Sequence, residues 1–262
     1  VLSNGTQVSA EAINVQGSGN TINNNGLVNA VRGAAIWSQR AGTLTVVNNG
    51  TISTGPLANP NRTATVIGGN TNAGIDFTNR GTVYGSLNLG SGADTLRIYT
   101  GSNITGNFSG GGGIDSIYLN GTGSDSLGGK MTGFEYLYKQ DAGTWELSGS
   151  ITGLIAANVQ AGTLILSGDN SGFTGTTTVD SGAKALSLMD QQLFDVALID
   201  MIMPEMDGMQ VTQQIRQHFP TIAANMPILA LTANTNPVDR ERCLAAGMND
   251  VLHKPMDTVV LM

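Results

Sequence analysis

The segment Val196-Ala197-Leu198-Ile199-Asp200-Met201-Ile202-Met203-Pro204-Glu205-Met206-Asp207-Gly208 constrains the fold of this chain more than any other. Four apolar residues read as a buried strand ending on a carboxylate. A turn rich in Pro, Asp and Gly follows, then a helix with Val211, Ile215 and Phe219 on one face. Two later apolar runs also end on polar chemistry: Ile228-Leu229-Ala230-Leu231 on Thr232-Ala233-Asn234, and Val251-Leu252-His253 on Lys254-Pro255. A first helix is expected over Ala183–Met189, closed by Asp195. A third begins at the N-cap Asn236 with Pro237 at its first position, and ends at the C-cap Gly247. Alternating helices and strands predict a parallel sheet with right-handed crossovers. An acid (Asp200), a hydroxyl (Thr232) and an ammonium (Lys254) then meet at the carboxyl ends of its strands.

The rest of the chain is a different polymer. Of 36 glycines, 34 lie before residue 183, whereas nine of ten methionines, both histidines and the single cysteine, Cys243, lie after it. We therefore expect two domains, 1–182 and 183–262. The net charge of −7 argues against a nucleic-acid partner, which needs a basic face. One cysteine excludes an intrachain disulfide, and Cys243 reads as inert packing or a solvent-facing thiol. The chain has no 18-residue apolar run, so no membrane segment is expected. No signal peptide opens it, and Val1 reads as the start of a fragment.

Residues 1–182 repeat a turn followed by a β-branched strand: Asn24-Asn25-Gly26-Leu27-Val28, Asn48-Asn49-Gly50-Thr51-Ile52 and Asn79-Arg80-Gly81-Thr82-Val83. A second element, Ala12-Ile13-Asn14-Val15, returns as Ala35-Ile36-Trp37-Ser38 and Gly74-Ile75-Asp76-Phe77. Irregular repeats of short strands predict a right-handed parallel β-helix, a solenoid whose coils share an internal ladder of Ile, Val and Leu. The Asn-Gly pairs suit corners that need positive φ. Gly110-Gly111-Gly112-Gly113-Ile114-Asp115-Ser116-Ile117-Tyr118 fits a calcium nonapeptide template, and Gly90-Ser91-Gly92-Ala93-Asp94-Thr95-Leu96 nearly does. Without a third copy, Asp94 and Asp115 read as turn residues. Asp76, Asp94, Asp115 and Asp125 are too scattered for a catalytic pair, so this half reads as scaffold.

Two families are resembled. Residues from about Val179 to Met262 resemble the receiver domain of response regulators and hybrid sensor kinases, a flavodoxin-like α/β fold. The resemblance implies that Asp200 is the phosphoacceptor, taking its phosphoryl group from a histidine kinase or phosphotransfer domain. It implies that Thr232 and Lys254 hold the phosphoryl group, and that Asp200 and the Ile202 backbone carbonyl bind Mg²⁺. It also implies a cis Lys254–Pro255 peptide. Asp207 reads as a helix-start residue, and His218 and His253 are given no metal role. The family's first strand with its two adjacent acids, and its first helix, have no counterpart upstream. Thr177-Thr178-Val179-Asp180-Ser181-Gly182 passes as its second strand and turn (the strand over 176–180). Leu164-Ile165-Leu166-Ser167-Gly168-Asp169 mimics its first strand, with no room for a helix before Thr176. Val251 occupies the family's aromatic switch position.

Gly162-Thr163-Leu164-Ile165-Leu166-Ser167-Gly168-Asp169-Asn170, with Gly143-Thr144-Trp145-Glu146-Leu147-Ser148-Gly149, resembles the passenger-associated strand repeat of bacterial autotransporters. That implies a secreted or surface-displayed stalk with cell-surface or matrix contacts, although the family's secretion signal and membrane barrel are missing. The receiver part implies the cytoplasm instead, so the chain reads as a chimera. Two functions are expected: an impaired phosphorelay receiver on a scaffold, or a displayed passenger carrying a silent receiver fragment. No enzymatic activity is expected.

Overall fold

The computed structural model describes residues 2–3, 11–39, 42–58, 63–69, 74–169, 173, 175–179, 181–190, 193–203, 205–219, 226–233 and 236–254. Pro204, Asn234, Asp180 and the Lys254–Pro255 peptide lie outside them. Contacts divide the chain into two compact units, Val1–Thr178 and Val179–Met262.

Every strand pair described in the first unit is parallel, an arrangement compatible with a β-helix. The chain visits its sheets in rotation. One sheet of eight strands runs from Asn20–Asn24 through Leu44–Asn48, Ile75–Asn79, Thr95–Tyr99, Ser116–Asn120, Tyr136–Lys139 and Ala156–Val159 to Thr176–Val179. Sheets of five, seven and three strands collect the intervening segments. Matching residues return after 19 to 31 positions.

Register explains the core. Val46, Phe77, Leu96, Ile117, Leu137 and Ala157 stand opposite one another in successive strands, and all are buried. Burying each large apolar side chain of such a ladder is worth about 1.5–3 kcal/mol. The neighbouring column starts as stacked amides: Asn24 Nδ2 donates to Asn48 Oδ1 (2.8 Å), and Asn48 Nδ2 to Asn79 Oδ1 (2.8 Å). The same column ends in Ile98, Leu119, the buried Lys139 and Val159. The Lys139 ammonium donates to the carbonyls of Asp141 and, at 3.0 Å, of Ala161. A buried cation is thus bonded to corner carbonyls, which limits the cost of removing it from water.

Three expectations change. The repeat glycines Gly26, Gly50 and Gly81 do not have positive φ. Gly50 and Gly81 are required because each stacks on the glycine of the preceding repeat, where a Cβ would collide with the carbonyl oxygen of Gly26 or Gly50. The second repeat element also splits. Ile13 pairs with Ile36 and Ile36 with Ile67, while Ile75 belongs to another sheet opposite Leu44. Finally, Thr176–Val179 is the end strand of the eight-stranded sheet beside Ala156–Val159, with Thr176 N–H donating to the Ile155 carbonyl (2.8 Å), and not a strand beside Asp200.

The second unit is a parallel sheet in the order Ala197–Asp200, Ile228–Thr232, Asp250–His253, with helices α1 (Gly182–Met189), α2 (Gly208–His218) and α3 (Pro237–Ala245). Its core joins Met189, Ile199, Val211, Ile215, Met226, Ile228, Ala230, Cys243 and Met248, with Phe219 and Val251 packed against it. Cys243 is therefore packing, and burial pushes its thiol up. α1 ends at Met189 with Asp190 as its cap, the Asp190 N–H closing on Leu188, so Asp195 is not its terminator. α3 starts on Asn236, whose side chain accepts the Val238 N–H (3.1 Å). It ends in a Schellman motif: Gly247 (φ 101°) donates to Leu244 and Met248 to Cys243. Among the described residues no helix is long and apolar enough to cross a membrane.

The stacking account predicts that Gly81→Ala destabilises the first unit by about 1–3 kcal/mol through overpacking. Gly26→Ala, which meets nothing within 4 Å, should change it far less. Tryptophan-fluorescence unfolding checks both, and equal effects would contradict the account.

Candidate functional site

Strand register brings the three candidate residues to one end of the sheet. Asp200 is the last residue of its strand and stands opposite Leu231. Thr232, the next residue, stands opposite His253. Lys254 follows directly, its N–H donating to the Thr232 carbonyl (2.9 Å). The strand ends thus stagger an acid, a hydroxyl and an ammonium along one rim.

Lys254 Nζ lies 2.5 Å from Asp200 Oδ2, and the Ile202 N–H donates to Asp200 Oδ1 at 3.2 Å. Both carboxylate oxygens are therefore engaged. Partial burial pushes the Asp200 carboxyl up. Against it, the hydrogen bond from Lys254, the N–H of Ile202, the Lys254 charge and the N–H of Met201 hold it below its usual range. Asp200 is accordingly ionised at neutral pH.

The loop after Asp200 is fixed at both ends. Met201 N–H donates to the Leu231 carbonyl (3.1 Å), and the Met201 carbonyl accepts from Gly208 N–H (3.3 Å). Gly208 packs so closely on the Asp200 carbonyl that a Cβ would have to displace it. Asp207 caps α2 in a capping box: its side chain accepts the Gln210 N–H (2.8 Å) while Gln210 Oε1 accepts the Asp207 N–H (3.0 Å). That commits Asp207 to the helix start. Glu205, at φ 66°, is the one non-glycine residue with positive φ among those described, which marks local strain beside the site. No residue pattern announces it. Ile202 is 87 % exposed, the most exposed large apolar side chain of the loop.

Sequence reasoning also missed Arg216. From α2 it donates to the Gly247 carbonyl (3.0 Å), the Met226 carbonyl (3.1 Å) and Asn249 Oδ1 (2.8 Å). The fork ties α2 to the segments entering the Thr232 and His253 strands. His218 and His253 are exposed, and the His218 ring bonds the Gln214 carbonyl (3.0 Å).

The receiver resemblance implies a magnesium ion, and the donor set can be tested for it. Mg²⁺ demands octahedral oxygen ligands, usually one or two carboxylates with waters and phosphate oxygens. Among the described residues, the one acid at the strand ends has Lys254 on one oxygen and a peptide N–H on the other. Among the described residues no three His, Cys, Asp or Glu side chains are grouped to hold a metal. Asp169 lies in the first unit, its carbonyl accepting from Ile151 N–H (3.1 Å). The donor set of the described residues does not complete a magnesium shell.

Comparison with known proteins agrees with the geometry. Residues 156–262 match the model of the response regulator receiver domain. The match starts within the first unit, where Ala156–Val159 and Thr163–Leu166 are strands of its parallel sheets. The chain is 37 % identical over 84 residues to the sensor histidine kinase RcsC of Salmonella typhimurium, covering 32 % of this chain and 8 % of that kinase. It is 38 % identical over 84 residues to hybrid signal transduction histidine kinase H of Dictyostelium discoideum, covering 32 % of this chain and 6 % of that protein. The chain thus spans less than a tenth of these two relatives. Among solved structures it is similar to the receiver domain of sensor histidine kinase PA1611 from Pseudomonas aeruginosa, a structure with a magnesium ion coordinated in the active-site cleft. The likeness has 40 % identity over 32 % of this chain and 69 % of that one, with a TM-score of 0.29.

Because Asp200 is more acidic folded than unfolded, its pairing stabilises the fold above the ordinary carboxylate pKa. That contribution is lost as pH falls through the lowered value. The gain is small, since the side chains of Asp200 and Lys254 are 36 % and 41 % exposed and water screens them. Lys254→Ala should move the Asp200 titration upward toward the ordinary range in carboxyl-carbon NMR; an unmoved titration would show that Lys254 does not set it.

Proposed function

Because the C-terminal part of this chain is a response regulator receiver domain, we propose that Asp200 is the phosphoacceptor of a phosphorelay. The receiver identity implies phosphorelay signal transduction; the donor is a phosphohistidine on a histidine kinase or phosphotransfer domain. One observation supports the site assignment above all: the ionised Asp200 and the Lys254 ammonium meet at 2.5 Å on the strand-end rim that also carries Thr232. An Asp200 oxygen attacks the phosphorus, the P–N bond breaks, and the imidazole leaves with its electron pair. Lys254 then transfers its hydrogen bond to a phosphoryl oxygen, and Thr232 donates its hydroxyl to another. Phosphoryl transfer is governed by positioning and by neutralising charge around the moving group.

The Pseudomonas receiver holds magnesium in its cleft. Asp200 and the Ile202 carbonyl are the groups that would contact such an ion here, and without an acidic pair we propose that they hold it weakly. Phosphorylation of Asp200 is then slow, while Lys254 and Thr232 retain weak affinity for phosphate-like anions. For the first unit we propose a right-handed parallel β-helix of the autotransporter passenger type. It would act as an inert scaffold with surface or matrix contacts, and the in-register parallel sheets support this reading. The incomplete donor set favours a second reading, in which the chain works as a displayed passenger and its receiver fragment is silent. Sequencing the uninterrupted DNA across codons 170–190 tests whether the join is natural.

Intact-mass analysis after incubation with acetyl phosphate and Mg²⁺ tests the site. Slow addition of one phosphoryl group, lost in Asp200→Asn, is expected. Prompt Asp200-dependent addition would contradict the impairment. No addition would favour the silent fragment.

A further inference from the structure

Outside the receiver site, the first unit carries a column of acids that the proposed function does not use. Asp94, Asp115 and Glu135 immediately precede three successive strands of the eight-stranded sheet, Thr95–Tyr99, Ser116–Asn120 and Tyr136–Lys139. Each reaches back by one strand. Asp94 Oδ1 accepts the Ile75 N–H (2.5 Å), Asp115 Oδ1 the Asp94 N–H (2.7 Å), and Glu135 Oε2 the Asp115 N–H (2.7 Å). The carboxylates thus replace backbone carbonyls where the strands begin.

The first two acids are enclosed. Asp94 is 1 % and Asp115 0 % exposed, and the second oxygen of each, Oδ2, is buried with no hydrogen-bond partner. The glycine-rich turn shapes this enclosure: a Cβ on Gly110 would lie 2.6 Å from Asp115 Oδ2. A buried ionised carboxylate with a bare oxygen is costly unless a counter-charge compensates it. Among the described residues, the charged groups acting on the pair are acids themselves, Asp115 on Asp94 and Glu135 on Asp115. Arg97, in the strand that follows Asp94, is paired with Asp76. Among the described residues no three acid, His or Cys side chains are grouped to hold a metal. Neutralisation by a proton is what remains.

We propose that Asp94 and Asp115 form a proton lock, each carrying a proton on its buried second oxygen in the folded first unit, so that removing those protons loosens the stacked strands. Burial pushes Asp94 up to about 7, with the Ile75 N–H opposing and the Asp115 charge adding. Burial likewise pushes Asp115 up to about 6, with the Asp94 N–H opposing and Glu135 adding. Both lie above the unfolded carboxylate value, so the folded state binds more protons than the unfolded one between them. Stability therefore falls as pH rises from about 4 to about 7 and levels off above. From Asp94 alone, the folding equilibrium should drop on the order of a hundredfold between about pH 5 and pH 8.

Both tryptophans, Trp37 and Trp145, lie in the first unit and both histidines in the second. Tryptophan emission on the full chain therefore reports this unit, which contains no histidine. The thermal midpoint should be higher at about pH 5 than at about pH 8. Asp94→Asn, a neutral side chain that keeps an oxygen for the Ile75 N–H, should raise the pH 8 midpoint and flatten the dependence, as should Asp115→Asn. An equal or higher wild-type midpoint at pH 8 would overturn the proposal. So would a Ca²⁺-induced rise at pH 8 that the variants lack, which would make the pair a cation site. If the variants fail to fold, the wild-type infrared spectrum decides: a buried protonated-carboxyl band present at pH 5 and lost by pH 8 supports the lock, and its absence at pH 5 refutes it.

Discussion

Parallel strand pairing is the constraint on which the rest of this molecule depends. Two parallel neighbours cannot be joined by a tight hairpin; the chain must cross back to the starting end before it pairs again. Both units obey this rule with different crossovers. In the first, the way back is made of further strands, so each circuit contributes to several sheets. In the second, the way back is a helix: α2 between the Asp200 and Thr232 strands, and α3 between the Thr232 and His253 strands.

The choice of crossover decides where chemistry can sit. With helices, all strand ends of one sense collect at one rim, and the residues just beyond them are free to be functional. Asp200, Thr232 and Lys254 occupy that rim because the register sets Leu231 opposite Asp200 and His253 opposite Thr232. Gly208, lying against the Asp200 carbonyl, and the Asp207–Gln210 capping box hold the intervening loop. With strands as the crossover, the same rule sets matching positions of successive parallel strands side by side. Small errors then repeat, which is why Gly50 and Gly81 have no room for a side chain and why Asn24, Asn48 and Asn79 can bond as a ladder.

Much of this was legible in the residues. An apolar run ending on Asp200 and two more ending beside Thr232 and Lys254 predict the rim, because strand ends and side-chain type are both local properties. Asn236-Pro237 and Gly247 mark the ends of α3 for the same reason. What escaped depends on partners that are distant in sequence. The three-residue run at Ile75 looks like those at Ile13 and Ile36, yet pairs in another sheet, because short β-branched runs suit every face of a stack. The glycines of the Asn-Gly repeats read locally as positive-φ corners, since nothing local reveals the carbonyl lying beneath them. Asp94 and Asp115 read as turn residues; their burial appears only when neighbouring circuits close over them. α1 stops at Asp190 although apolar residues continue at Leu193 and Phe194, and Leu193 is left 75 % exposed.

At the receiver rim, the ion pair between Lys254 and Asp200 leaves, among the described residues, a single acid with both oxygens occupied, and weak magnesium binding is what we propose for it. Titration of the chain with Mg²⁺ into the millimolar range, followed through the Ile202 amide and the Asp200 carboxyl carbon by NMR, addresses this directly. The account predicts weak, non-saturating shifts, with the Asp200 signal still reporting its contact to Lys254. A saturating shift at both positions, abolished by Asp200→Asn, would contradict it.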